Sequence, residues 1–254
     1  RSPVAKDVCI CSTTSSTSTT TSSTSTTTST TSTTTSTTVP PTGSILFRSA
    51  ATTSVNATSA TVTTPSSVAA GDALLLFVTT NSVPTYSGPA GWTLVGQQVH
   101  TASSDMLSRL YVRTATPADA GAAVRVAMPS TVKVDLTLVA YSGTDATAPI
   151  AQWAVRQESA IATTHTTPAL GSPAAAGWVV SYWAEKSSLT TDWTPPEGRP
   201  SRAETSGSGS GRIESLLVDT GGPVGGEPWA GLTATADSAG RKVVMFSVSL
   251  RPAA

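Results

Sequence analysis

Residues 241–250 read RKVVMFSVSL, and this stretch decides the fold. Val244, Phe246, Val248 and Leu250 recur at every second position, the period of a strand with one buried face. Residues 133–142, KVDLTLVAYS, repeat the pattern through Leu136, Leu138 and Ala140. Working outward, strand-like runs fall at 44–50, 60–64, 72–79, 93–99, 106–115, 122–128, 151–157, 177–185, 212–219 and 230–236. Turn residues such as Ser87-Gly88-Pro89, Ser142-Gly143 and Gly221-Gly222-Pro223 separate them, and residues 206–211, SGSGSG, read as a flexible surface loop. Short strands at this spacing predict an all-β, antiparallel sandwich of jelly-roll type over residues 44–254. No exact internal repeat is visible in that region.

Residues 12–38 are an unbroken run of 27 serines and threonines. A run without an apolar face buries too little surface to offset the entropy of folding, so it predicts an extended linker, residues 12–43 with its stiff Val-Pro-Pro exit. Its hydroxyls form a dense array for O-glycosylation, as in other Ser/Thr-rich stalks. The candidate sites are Ser12, Thr13, Thr14, Thr17, Thr19, Thr20, Thr21, Thr24, Thr26, Thr27, Thr28, Thr30, Thr31, Thr33, Thr34, Thr35, Thr37 and Thr38.

Ahead of the tract, residues 1–11 read RSPVAKDVCIC. Val4, Val8 and Ile10 share one face of a short strand, interrupted by Lys6, with Cys9 and Cys11 on the other face. A lone strand of this length needs a sheet to pair with. The two cysteines lie about 6.6 Å apart in a strand, against about 3.8 Å between the Cβ atoms of a disulfide. Either the segment kinks, or the thiols stay free, or they pair with another chain; a frayed terminus is the plain alternative. A PPII-like tract of this length spans about 84 Å, whereas a compact domain of some 210 residues measures about 40–45 Å across. The tether therefore carries the segment beyond its own domain, which favours strand addition to the sandwich of another copy.

The motifs GWTLVGQQV (91–99), LYVRTATPAD (110–119), LVAYSGTDATAPI (138–150) and GWVVSYWA (177–184) resemble a jelly-roll domain of secreted bacterial and phage-tail proteins. The resemblance covers roughly residues 44–251 and implies an extracellular, lectin-like sandwich without assigned catalytic residues. The order of short strand, Ser/Thr tract and sandwich also resembles subunits of environmental glycosylated fibrils, in which an N-terminal segment docks on a neighbouring subunit.

Charged residues make up only 12% of the chain, and Lys plus Arg equal Asp plus Glu. That balance disfavours nucleic acid or an anionic membrane as partner, and no apolar run is long enough for a membrane helix. Arg at position 1 fits a leader already removed, and the whole composition predicts an extracellular protein. His100 and His165 stand far apart in sequence, so neither a zinc site nor a Ser/His/Asp triad is legible. Carboxylate pairs for glycoside hydrolysis could be drawn from Glu158, Glu185, Asp192, Glu197 and Glu204, without any spacing to select two of them. Trp92, Trp178, Trp183 and Tyr182 lie in strand-like runs and read as core or half-core. Trp153, Trp193 and Trp229 sit near loops and are the candidates for glycan contact. Asn56-Ala57-Thr58 fits the N-glycosylation sequon.

The expectation is a non-enzymatic structural subunit of an extracellular glycosylated fibril, with no metal and no cofactor. Its partners are copies of itself, joined head-to-tail through residues 1–11, and covalent glycans. The alternative is a secreted carbohydrate-binding or adhesive module on a glycosylated stalk.

Overall fold

The computed structural model describes residues 43–100 and 106–254. The hydroxyl tract, Val4, Val8 and Ile10, and Cys9 and Cys11 lie outside the described residues. Those described form an all-β, antiparallel fold, and no helix among them is long and apolar enough to cross a membrane.

The first half of the sandwich is one sheet. Its strands are β1 (Leu46–Thr63), β2 (Ala73–Thr80), β3 (Thr93–His100), β4 (Met106–Thr114) and β5 (Ala123–Ser142), in the order β1-β5-β2-β4-β3. The second half supplies β6 (Ile150–Glu158), β7 (Ala162–Thr166), β8 (Trp178–Ser187), β9 (Trp193–Thr194), β10 (Ser201–Ser206), β11 (Arg212–Asp219), β12 (Thr233–Gly240) and β13 (Val243–Leu250). Five of these make a sheet ordered β10-β11-β8-β13-β6, and β7-β12-β9 make a third, smaller one.

The two five-stranded sheets pack face to face over a core of Leu75, Phe77, Leu110 and Tyr141 against Val180, Tyr182, Leu217 and Phe246. Phe77 stacks on Tyr182 with ring centroids 4.2 Å apart. Both outer faces are covered as well. The far ends of β1 and β5 fold back over the first sheet, where Ala60, Val62, Val124 and Val126 meet Leu76, Val78, Leu136 and Leu138. The small sheet caps the second, setting Trp193, Ala234 and Ala236 on Trp183, Leu216 and Met245. Burial on both sides is why β2 (ALLLFVTT) and β13 (VVMFSVSL) have every residue buried, rather than one face.

Runs 44–50 and 60–64 prove to be one strand, as do 122–128 and 133–142, each pair joined across the fold-back. The register breaks between Ala57 and Ser59, opposite Ala127 and Val132, so the ribbon bends there without ending. The short strands β7, β9 and β10 (ATTHT, WT and SRAETS) were outside the predicted runs, because their polar residues give no alternation to read.

The halves share a plan. Read from its β6 edge, the second sheet runs β6-β13-β8-β11-β10, matching β1-β5-β2-β4-β3 strand for strand. The β7–β12 pair occupies the place of the folded-back ends of β1 and β5. The edge strands are bulged at matching points: beside Phe47 in β1 and Ile150 in β6, and between Leu94 and Gly96 in β3 and Ser201 and Ala203 in β10. One turn opens β2, β3, β5 and β8 alike: Asp72, Trp92, Ala122 and Gly177 each donate a backbone N–H to the carbonyl three residues earlier. The residue before each donor has a positive φ, at Gly71 (89°), Gly91 (77°), Gly121 (71°) and Ala176 (60°). Left-handed backbone costs a residue with a Cβ roughly 1 kcal/mol. Ala176→Gly is therefore expected to stabilise the protein by about 1 kcal/mol, and Gly71→Ala, whose Cβ would meet open space, to destabilise it comparably. Urea midpoints of the two variants check this; a loss of stability in Ala176→Gly would contradict it.

Candidate assembly seam

A two-sheet sandwich has two seams where edge strands of opposite sheets come together. Here they are β1 against β10, and β3 against β6. Because the halves share a plan, the seams are built from equivalent strands and can be compared directly.

The β1/β10 seam is bridged along its middle, and a cavity of about 550 Å³ lies beyond its end, between residues 43–46, Trp178 and residues 221–223. Arg202, the bulged residue of β10, lays its guanidinium 4.3 Å over the Phe47 ring. It also donates to both oxygens of buried Asp219, at 2.8 and 3.0 Å, while Tyr141 donates to the same carboxylate at 3.0 Å. Where β1 meets the β10–β11 turn only a cleft of about 20 Å³ remains.

At the β3/β6 seam the equivalents of Arg202 and Phe47 are Val95 and Ile150, and the crossing beside them is made by Trp153 of β6, whose ring lies on Gly96 of β3. One end is tied, since the His100 ring Nε2 hydrogen-bonds the Glu158 carbonyl at 2.8 Å. Toward the other end lies a groove of about 450 Å³ lined by Thr93, Val95, Val112, residues 147–151 and Trp153. No lining residue is ionisable. Val95, Val112 and Ile150 are only partly buried and rest on the central core, so the groove floor is the core itself. Each edge strand pairs on one side only, β3 with β4 and β6 with β13. An open edge over an apolar floor can take main-chain hydrogen bonds and alternate apolar side chains from an added strand. The tryptophan packs its ring against Gly96, where any Cβ would collide with it, and stays 40% exposed.

The other tryptophans separate. Trp193 is 2% exposed and packs under the small sheet, so it presents no face to a sugar, contrary to the sequence expectation. The Pro-rich loop that suggested exposure follows it, and its own position is a core position of β9. Trp229 is half-buried, with the Arg199 guanidinium 5.8 Å from its ring.

No family model, curated protein or solved structure matches this chain. Its chemistry is therefore read from its own groups. Glu185 lies directly opposite Glu214 across β8 and β11, but both are buried beneath the small sheet. Thr190 donates to one Glu185 oxygen at 2.9 Å, the other has no hydrogen-bond partner among the described residues, and burial pushes its carboxyl up to about 7. Glu214 is paired with Arg212 at 2.5 Å. Glu158 accepts from His165 Nδ1 at 2.7 Å, and burial holds that imidazole below its ordinary value. Glu197, Glu204 and Asp192 lie exposed. Among the described residues no group of His, Asp and Glu side chains is placed to hold a metal ion.

The seam itself carried one legible signal. Gly96 stands inside a strand pattern, where an isolated glycine marks a bulge or a close approach, and it marks both.

Proposed function

We propose that the protein is a non-enzymatic structural subunit of an extracellular glycosylated fibril, assembled head-to-tail. Residues 3–11 of one copy add a strand in the β3/β6 seam of the next, and the hydroxyls of residues 12–38 carry O-linked glycans. The observation that supports this best is the contrast between the seams: one bridged by an arginine on a buried carboxylate, its equivalent crossed by Trp153 and keeping beside it a groove of about 450 Å³ with an apolar, uncharged floor. Nine residues in a strand span about 30 Å, enough to run the length of β3, and Val4, Val8 and Ile10 supply apolar side chains for such a floor. Donor and acceptor are different surfaces, so the contact propagates instead of closing. The jelly-roll and lectin-like kinship belongs to the same reading and rests on the packing of two antiparallel sheets alone.

A carbohydrate-binding module is the second reading, favoured by the exposed Trp153 ring at the groove. Deleting residues 1–11 separates the two. Electron microscopy of the truncated chain is expected to show isolated particles where the full chain forms filaments, whereas sugar binding at Trp153 would survive the deletion. Filaments of normal appearance from the truncated chain would end the strand-addition reading.

A further inference from the structure

The chain contains two asparagines, and the fold uses only one. Asn81 is half-buried: its amide donates to the Gly211 carbonyl at 3.2 Å and its oxygen accepts the Lys133 N–H at 3.0 Å, tying the end of β2 to β5 and to the β10–β11 turn. Asn56 makes no side-chain hydrogen bond among the described residues and is exposed, in the interior of a long strand where asparagine is disfavoured. It stands beside the bend at which β1 and β5 leave the first sheet. Thr58 is the residue skipped in the register there, between Ala57 opposite Val132 and Ser59 opposite Ala127, and it too is exposed.

We propose that Asn56 carries an N-linked glycan, with Thr58 as the hydroxyl of its Asn-x-Thr acceptor sequence. The Asn56 amide nitrogen forms a bond to the anomeric carbon of an oligosaccharide supplied as a lipid-linked pyrophosphate. The bond from that carbon to the pyrophosphate oxygen breaks, the lipid pyrophosphate leaves, and one amide proton passes to solvent. Two features of the position suit the modification. Val55 and Asn56 stand at the rim of the narrow cleft that β1 forms with Gly207 and Ser208 of the β10–β11 turn, and both stay exposed, Val55 by 37%. A glycan there would shield an edge open to unwanted pairing. That edge lies across the first sheet from β3, leaving the β3/β6 seam clear.

The test is peptide mass spectrometry on the protein from its natural source. The sample is treated with an amidase that cleaves Asn-linked glycans, in oxygen-18 water. The peptide containing residue 56 is expected to be glycan-bearing before treatment and to appear afterwards with oxygen-18 aspartate at position 56. Asn56→Gln should lose this signal while keeping the melting temperature of the unglycosylated recombinant protein. Unmodified Asn56 in the native protein, or a sugar on Thr58 instead, would overturn the proposal. Neither outcome bears on filament formation, which is scored separately.

Discussion

Thermal unfolding followed at pH 8 and at pH 5 is expected to show the protein more stable at the lower pH, by on the order of 2 kcal/mol, or about 4–8 °C in Tm. The sign follows from two buried carboxyls. Asp135 is fully buried between the sheets, and loss of hydration pushes it up to about 6, partly offset by hydroxyl donors from Thr205, Ser215 and Thr137. Glu185 is pushed up to about 7 by burial, with Thr190 and Arg212 opposing and Asp237 and Glu214 adding to it. Both groups bind a proton more tightly folded than unfolded, where carboxyls titrate near pH 4. Stability therefore rises as pH falls through about 7 and then about 6, and the gain levels off near pH 4. His165 works the other way: its folded value is lowered by burial, so stability is withdrawn as pH drops below about 6.5, and that is why the net figure is smaller than the carboxyl sum. In Glu185→Gln the pH slope should shrink and the pH 8 stability should rise. A flat or inverted profile between pH 5 and 8 in the parent would contradict the burial of these groups.

Much of the sandwich could be read from the chain because its central strands are the most apolar. The run at 212–219 and the strand β11 coincide, and those at 72–79 and 93–99 miss β2 and β3 by one residue. What escaped was the outer cover. The alternation in residues 60–64 looked like a separate strand because a bend and a continuous ribbon give the same local pattern. The plan shared by the two halves was hidden for a different reason. It is carried by strand order, bulge positions and one turn geometry, and at the fourth copy of that turn an alanine stands where glycine does elsewhere. Trp193 misled because sequence neighbours such as Pro195 and Pro196 report where the chain turns, not what covers it. The seam was out of reach for sequence, since its two walls come from β3 and β6, some fifty residues apart, and its meaning comes from the comparison with β1 and β10.

That comparison also supplies the sharpest change to make. Val95 sits at the bulge of β3 where Arg202 sits at the bulge of β10. An arginine at position 95 would hang over the groove floor formed with Val112 and Ile150, putting a charge where apolar side chains are to enter. Because Val95 is only partly buried and the fold already holds arginine at the matching bulge, the monomer should unfold within about 1 kcal/mol of the parent. The most direct measurement is electron microscopy of full-length Val95→Arg beside the parent chain under identical conditions, with both melting curves recorded. The account predicts filaments from the parent and only isolated particles from Val95→Arg at nearly unchanged Tm; filaments of the same length and abundance from the variant would contradict it.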